Sequence, residues 1–313
     1  MPDEKTASAT TWSSAWTTSQ FSAAGFYRTH RAEDEFRTSV HVDRQLARVL
    51  AKRITAEQQR SPVSDFTVID IGAGDGSLLL QLQDFLPPDI TYVAVDLRQP
   101  PPRLPDNITW ITRGIDDSSE EITGRDGDWT GVLIAHEFLD DVPCDVLELD
   151  EALVPRVVLV DPETGGEEIG PAIDDNAARR FIDDPTGSAH WLERWWPATR
   201  PLARREVGLT RDRTWARLRR VLSGTAIAID YSHRLPERRR GVWDGGTLQG
   251  FKKGRPQRPI PDTSMNLTAH VALDACAGSG GAVLQQSSML TGLAGFPASY
   301  GSYEWLIEPV VQR

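Results

Sequence analysis

Apolar residues in this chain fall into short, nearly unbroken runs separated by polar turns. Phe66 to Ile71 is the first, Tyr92 to Val95 the second, Ile108 to Ile111 the third, Gly131 to Ala135 the fourth and Thr225 to Ile229 the fifth. Runs of this length, rich in Val and Ile and lacking polar alternation, suit parallel strands buried on both faces. The segments between them carry helical signals. Leu78, Leu79, Leu80 and Leu82 follow Ser77, a residue suited to a helix start. Upstream, Leu46, Val49, Leu50 and Ile54 recur at helical spacing and predict a helix beginning near Val42. Strand, turn and helix in alternation predict an α/β fold with a mostly parallel, doubly wound sheet. Residues 144–222 break the rhythm. There Asp145 to Asp150 and Arg156 to Asp161 predict a hairpin, followed by an acidic loop and a Trp/Arg-rich stretch, and the whole region reads as an insertion.

Composition bounds this picture. The 313 residues are 39% hydrophobic, enough for one large domain or a core domain with an elaborated insertion. A formal charge of -11 argues against nonspecific nucleic-acid binding. No apolar run approaches the roughly 18 residues of a membrane span. The N-terminal MPDEKTASATTWSSAWTTSQ lacks the apolar core of a signal peptide and, being Ser/Thr-rich, predicts a frayed, disordered segment over 1–22. Cys144 and Cys276 predict two reduced thiols in a cytoplasmic protein, and neither they nor the six scattered histidines show metal-ligand spacing, so no metal is expected. Charge is uneven. Residues 200–258 hold sixteen Lys/Arg against five Asp/Glu. This stretch reads either as a solvated basic face or as a docking surface for an acidic partner protein.

The candidate chemistry starts at Gly72-Ala73-Gly74-Asp75-Gly76, the turn after the first run. Glycines there let a ligand lie against backbone that a Cβ would block. The second run is followed by Asp96, whose carboxylate can accept both ribose hydroxyls of an adenosine ligand. A dinucleotide site wants G-x-G-x-x-G. Here the third glycine comes one residue early, at Gly76, and Asp75 would sit badly beside a pyrophosphate. The same carboxylate suits the ammonium of an amino-acid-bearing ligand. The turn resembles motif I of class I S-adenosyl-L-methionine (SAM) methyltransferases; a turn with no ligand is the alternative. Asp70, Leu97, Gly114, Asp116 and His136 complete the expected cofactor set, with Asp116 near adenine. Phe36-Arg37-Thr38-Ser39 is either a capping segment or a lid, in which Thr38 and Ser39 would meet the ligand. The loop His136-Glu137-Phe138-Leu139-Asp140-Asp141 follows the fourth run at the topological switch point, where ligands bind. Glu137 and Asp140 there could orient a methyl acceptor, or the loop could be a solvated acidic cap.

Five motifs in order extend the resemblance: the glycine turn, Phe36 to Ser39, Ala135 to Asp140, Gly246-Thr247-Leu248-Gln249-Gly250-Phe251-Lys252-Lys253, and Asn266-Leu267-Thr268-Ala269-His270-Val271. Together, over roughly residues 23 to 295, the chain resembles the MidA-like family of SAM-dependent methyltransferases, relatives of the mitochondrial complex I assembly factor. His136 stands where that family usually has Asn, Asp141 where Ala is common, and Asn266 where Asp is usual. The resemblance implies a class I methyltransferase fold: a mostly parallel seven-stranded sheet, an N-terminal helical segment and an insertion before strand five. It implies a lid or helical segment at 23–60, a SAM-binding half at 61–143, an acceptor region at 144–222 and the C-terminal half of the sheet at 223–313. It also implies SAM as cofactor, Glu137, Asp140 and His270 as acceptor-side residues, and methylation of an arginine side chain in a partner protein. A homodimer is a further expectation. The alternatives are a small-molecule methyltransferase, or a SAM-binding assembly factor that docks its client through the basic stretch.

Overall fold

The computed structural model describes residues 9–30, 39–42, 44–61, 63–114, 129–290 and 303–311. The chain divides into two units, each assembled from three segments. One holds Met1–Arg31, Asp140–Asp212 and His233–Ala275; the other holds Ala32–Leu139, Arg213–Ser232 and Cys276–Arg313. Strands are numbered β1 to β15 along the described chain.

The second unit contains a seven-stranded sheet. Its strands are β2 (Thr67–Ile71), β3 (Thr91–Asp96), β4 (Ile108–Thr112), β5 (Trp129–His136), β10 (Leu222–Tyr231), β14 (Ala282–Gln285) and β15 (Tyr303–Val310), in the order β14-β15-β10-β5-β2-β3-β4. The pairs β2–β3, β2–β5, β3–β4 and β5–β10 are parallel, while β15 runs antiparallel to β10 and β14. All five expected apolar runs are strands of this sheet. Every residue of β2 is buried, as a central strand covered on both faces requires. The helix Gln45–Arg60 buries Leu46, Leu50 and Ile54, and the helix Ser77–Gln83 buries Leu78, Leu79 and Leu82; both join the core formed with Val68, Ala94 and Ile134.

The first unit contains residues 144–212 of the expected insertion, while 213–222 belong to the second. Its larger sheet has β1 (Thr10–Thr11), β7 (Pro155–Val160), β6 (Val146–Leu149) and β9 (Arg204–Glu206) in that order, with β8 (Glu167–Ala172) added on β7. β6 and β7 form the expected hairpin, pairing Leu149 with Pro155. A smaller sheet orders β12 (Arg255–Gln257), β11 (Gln249–Lys252) and β13 (Asn266–Thr268).

The expected layout needs three corrections. Residues 1–22 are not a frayed segment throughout: Trp12–Phe21 is a helix, capped by the Thr11 hydroxyl accepting from Ser14 N–H at 3.2 Å. Its Trp12 and Trp16 are buried against Val146, Val158 and Leu267, and that burial outweighs a Ser/Thr-rich composition. The segment 23–60 is divided, with its start in the first unit and the helix Gln45–Arg60 in the second. Residues 233–275 of the expected C-terminal half belong to the first unit together with residues 144–212 of the insertion.

Candidate functional site

In the second unit, β2 delivers the chain into the glycine turn. Gly72 and Ala73 N–H both donate to the Val95 carbonyl of the neighbouring strand, at 2.9 and 3.1 Å. Gly72, Gly74 and Gly76 have φ of 72°, 64° and 80°, the left-handed region that glycine enters without penalty. Their surroundings differ. A Cβ on Gly72 would lie 2.8 Å from Phe138 Cδ2, and one on Gly76 would lie 2.9 Å from Leu104 Cδ1. Those two glycines make room for side chains. At Gly74 the nearest atom is Arg98 Nη2, at 3.8 Å.

Carboxylates surround this turn. Asp96 ends β3, is buried, and accepts Gly74 N–H at 2.8 Å. Asp70 is buried in β2; desolvation, with Asp96 and Asp75 nearby, holds its carboxyl well above the usual range and favours the protonated form. Burial pushes Asp75 up as well. That push is outweighed by hydrogen bonds from His41 and from the Ser77 hydroxyl and N–H, so its carboxyl lies well below the usual range. Asp75 therefore caps its own turn and ties it to the strap Ser39–Val42 through His41 Nε2 at 3.1 Å. Gln81 Nε2 adds a bond to the Val40 carbonyl at 2.9 Å. His41 is a site residue that sequence reasoning missed. Thr38 and Asp116 lie outside the described residues, as does the side chain of Ser39. Leu97 directly follows β3 and Gly114 lies two residues after β4; both are partly exposed.

β5 ends at His136, whose Nε2 lies 3.2 Å from Glu137 Oε1. Glu137 has φ 50°, unusual for a side-chain-bearing residue, and is held there by its N–H donating to the Ile229 carbonyl at 2.9 Å. Leu139 N–H then donates to the buried carboxylate of Asp230 at 2.9 Å.

The other expected acceptor-side residues meet in the first unit. Asp140 is buried and its Oδ2 accepts from the Thr268 hydroxyl at 2.7 Å. Asn266 donates toward Asp141 at 3.5 Å and accepts from the Tyr27 hydroxyl at 2.8 Å. His270 N–H donates to the Thr247 hydroxyl at 3.0 Å, and Thr247 is anchored on buried Glu206 by its own N–H and hydroxyl. Burial, with help from the Arg211 charge, pushes the His270 imidazole down to about 4, so it is neutral at pH 7. Arg211 itself is buried and donates to the carbonyls of Asp140 and His270, at 2.9 and 2.7 Å, which brings those two residues together. Neither Arg211 nor Tyr27 carries a sequence signal, because their partners lie far along the chain. Glu137 belongs to the second unit and Asp140 and His270 to the first. Among the described residues no three His, Cys, Asp or Glu cluster as metal ligands.

Residues 45–287 match a family described as "Putative S-adenosyl-L-methionine-dependent methyltransferase". The chain belongs to that methyltransferase family. Among solved structures it is similar to a Burkholderia thailandensis protein bound to S-adenosyl-homocysteine, at 17% identity and a TM-score of 0.69 over 96% of this chain and 87% of that one. It is also similar to the native structure of a protein of the same superfamily from the same organism, at 17% identity and TM-score 0.68 over 96% and 87% of the two chains. At that identity the likeness shows the fold, which is that of a class I methyltransferase. No curated protein matches the chain in sequence. The cofactor of this methyltransferase family is SAM, and the second unit's residues fit it. Asp96 ends β3 beside a turn whose Gly74 carries no Cβ, and its carboxylate, here bonded to Gly74 N–H and to Arg98, is the group that would hold a ribose diol. No helix among the described residues is long and apolar enough to cross a membrane.

Proposed function

We propose that this methyltransferase acts in the cytoplasm on a side chain of a partner protein, an arginine guanidinium by the chain's resemblance to the MidA-like family. The observation that carries the cofactor half is the Asp96 carboxylate, fixed at the end of β3 by the Gly74 N–H at 2.8 Å. The acceptor half is supported by the linkage of the resembling motifs within the first unit, where Thr247 of Gly246–Lys253 accepts from His270 of Asn266–Val271.

SAM, when bound, supplies an electrophilic methyl group for in-line displacement. The chain's own groups provide position and charge. By the resemblance, Glu137 in the second unit and Asp140 in the first are each carboxylates suited to a cationic or hydrogen-bond-donating acceptor. His270, neutral at pH 7, can accept a hydrogen bond from such an acceptor without adding a repelling charge.

S-adenosyl-homocysteine should raise the melting temperature, by about 2.7 kcal/mol of stabilisation at a hundredfold excess over Kd, while NAD should leave it unchanged. Labelled SAM added with the purified protein to lysate of a deletion strain should mark a discrete protein band. Glu137→Gln and Asp140→Asn should keep S-adenosyl-homocysteine affinity and lower transfer roughly a hundredfold through lost acceptor geometry. A label carried only by small molecules would overturn the protein acceptor. Full rescue of the deletion strain by variants that bind but do not transfer would overturn catalysis as the role.

A further inference from the structure

Asp96 is the carboxylate on which the cofactor site depends, and both its oxygens are already served. Oδ2 accepts from Gly74 N–H at 2.8 Å and from Arg98 Nη2 at 3.2 Å; Oδ1 accepts from Arg98 N–H at 2.9 Å and from Arg98 Nε at 3.0 Å. Two of these donors are backbone groups of the turns themselves. The other two come from a single guanidinium. A carboxylate offers about four acceptor sites, so the guanidinium takes the two that a ribose diol needs.

The same guanidinium lies over the glycine turn. The position a Cβ would take on Gly74 is 3.8 Å from Nη2, on the one glycine of the three that no neighbouring carbon crowds. The Arg98 backbone is held separately. Trp110 Nε1 and the Thr112 hydroxyl both donate to its carbonyl, at 2.9 and 3.3 Å. The side chain can therefore leave Asp96 while its backbone stays in place. It is also the more exposed partner, at 21% against 6% for Asp96.

We propose that Arg98 is a latch on the cofactor site: its side chain covers Asp96 and Gly74 in the free protein, and must swing away before a ribose diol can be held. This rests on the reading of the second unit as the SAM site. The exchange replaces charge-assisted bonds with neutral hydroxyl bonds, so the rest of the ligand has to supply the difference. Arg98 thereby sets both affinity and entry rate, because only the unlatched fraction of the protein is competent to bind. In return it keeps a buried carboxylate compensated while no ligand is present.

The test uses the full chain with S-adenosyl-homocysteine as probe, in calorimetry and stopped-flow binding. Arg98→Met keeps the aliphatic bulk and removes the donors. Its Kd should fall about tenfold, equivalent to about 1.4 kcal/mol, with the gain mainly in association rate. Arg98→Lys, with a single-point ammonium, should fall between the two and decides the matter if the Met variant does not fold. In an Asp96→Asn background the gain from Arg98→Met should vanish, since the latch has nothing to close on. Equal or weaker binding by Arg98→Met with an unchanged association rate would overturn the latch while leaving the cofactor site standing. Failure of wild type and every Arg98 variant to bind would remove the cofactor site, and the latch with it.

Discussion

Arg211→Met tests how the first unit is held together. The Arg211 guanidinium is 1% exposed. It donates to the carbonyls of Val142 at 3.0 Å, Asp140 at 2.9 Å, Ala269 at 3.0 Å and His270 at 2.7 Å, and it lies 5.8 Å from the Trp16 ring. Methionine fills much of the same volume and donates nothing. The Asp140 carbonyl keeps a donor, because Ala269 N–H also reaches it at 3.2 Å. The other three lose the Arg211 bond, and each buried carbonyl left unpaired costs about 1–3 kcal/mol. Removing a buried charge returns part of that. The expected net loss is about 3–5 kcal/mol, read as a shift of the urea midpoint followed by both circular dichroism and Trp fluorescence, so that two units unfolding separately would be seen. Arg211→Lys, with one ammonium for four carbonyls, should fall between. A second readout is independent of stability. Burial is the main cause of the low His270 pKa of about 4 and the Arg211 charge adds to it, so His270 should titrate higher in Arg211→Met, as followed by NMR. A variant within about 0.5 kcal/mol of wild type, the range of an ordinary surface substitution, with His270 titrating as before would refute the reasoning.

Gly76→Ala places a side chain at φ 80° and within 2.9 Å of Leu104 Cδ1. It should cost about 1–3 kcal/mol in urea unfolding, and Leu104→Ala should recover only the steric part, since the left-handed backbone penalty of about 1–2 kcal/mol remains; a Gly76→Ala protein as stable as wild type would count against the turn geometry. Asp145 is pushed up to about 6 by burial, against hydrogen bonds from the Thr11 hydroxyl and Ser13 N–H. Its folded pKa lies above the unfolded value of 3.8, so the stability it contributes is complete at low pH and is lost as pH rises through about 6. Asp145→Asn should thus stabilise by about 1–2 kcal/mol at pH 8 and be near neutral at pH 4; equal effects in urea melts at the two values would contradict the shift.

The sheet was legible in the sequence because its strands are buried on both faces and leave apolar runs with no polar interruption. The glycine turn was legible for a similar reason, since a left-handed backbone can be written only with glycine or, rarely, something strained. What each glycine faces was not legible. Gly72 and Gly76 admit Phe138 and Leu104, and that depends on loops 66 and 28 residues away in the chain. The helix Trp12–Phe21 was hidden by its Ser and Thr residues, although Trp12 and Trp16 recur at helical spacing; two large aromatics suffice where the surface is small. Asp75 shows a role that residue type did not reveal. Beside the ligand contact its carboxylate suggested, the structure engages it with Ser77 and His41, and a local cap leaves no more trace in sequence than a ligand would.

The basic stretch 200–258 is where charge counting misleads most. Arg205, Arg211 and Arg238 are fully buried. Arg205 donates to the carbonyls of Arg204 and Pro197 and pairs with Asp244, and Arg238 donates to the carbonyls of Trp195 and His233 and pairs with Asp274. Arg204 holds both oxygens of Glu167, and Arg200 pairs with Asp244. These guanidiniums stand in for secondary structure, satisfying carbonyls and carboxylates in irregular parts of the first unit where no ladder can reach them. Arg213, Arg217, Arg219 and Arg220 belong to the second unit, so the run in sequence is divided between the units. The exposed set in the first unit is Arg200, which is paired with Asp244, together with Arg239, Arg240, Lys252, Lys253, Arg255 and Arg258. A client docked by charge would have to be read by that smaller set. Charge reversal across the whole stretch would instead unfold the first unit through its buried arginines and mimic the loss of a partner. Only substitutions confined to the exposed lysines and arginines can distinguish docking from folding.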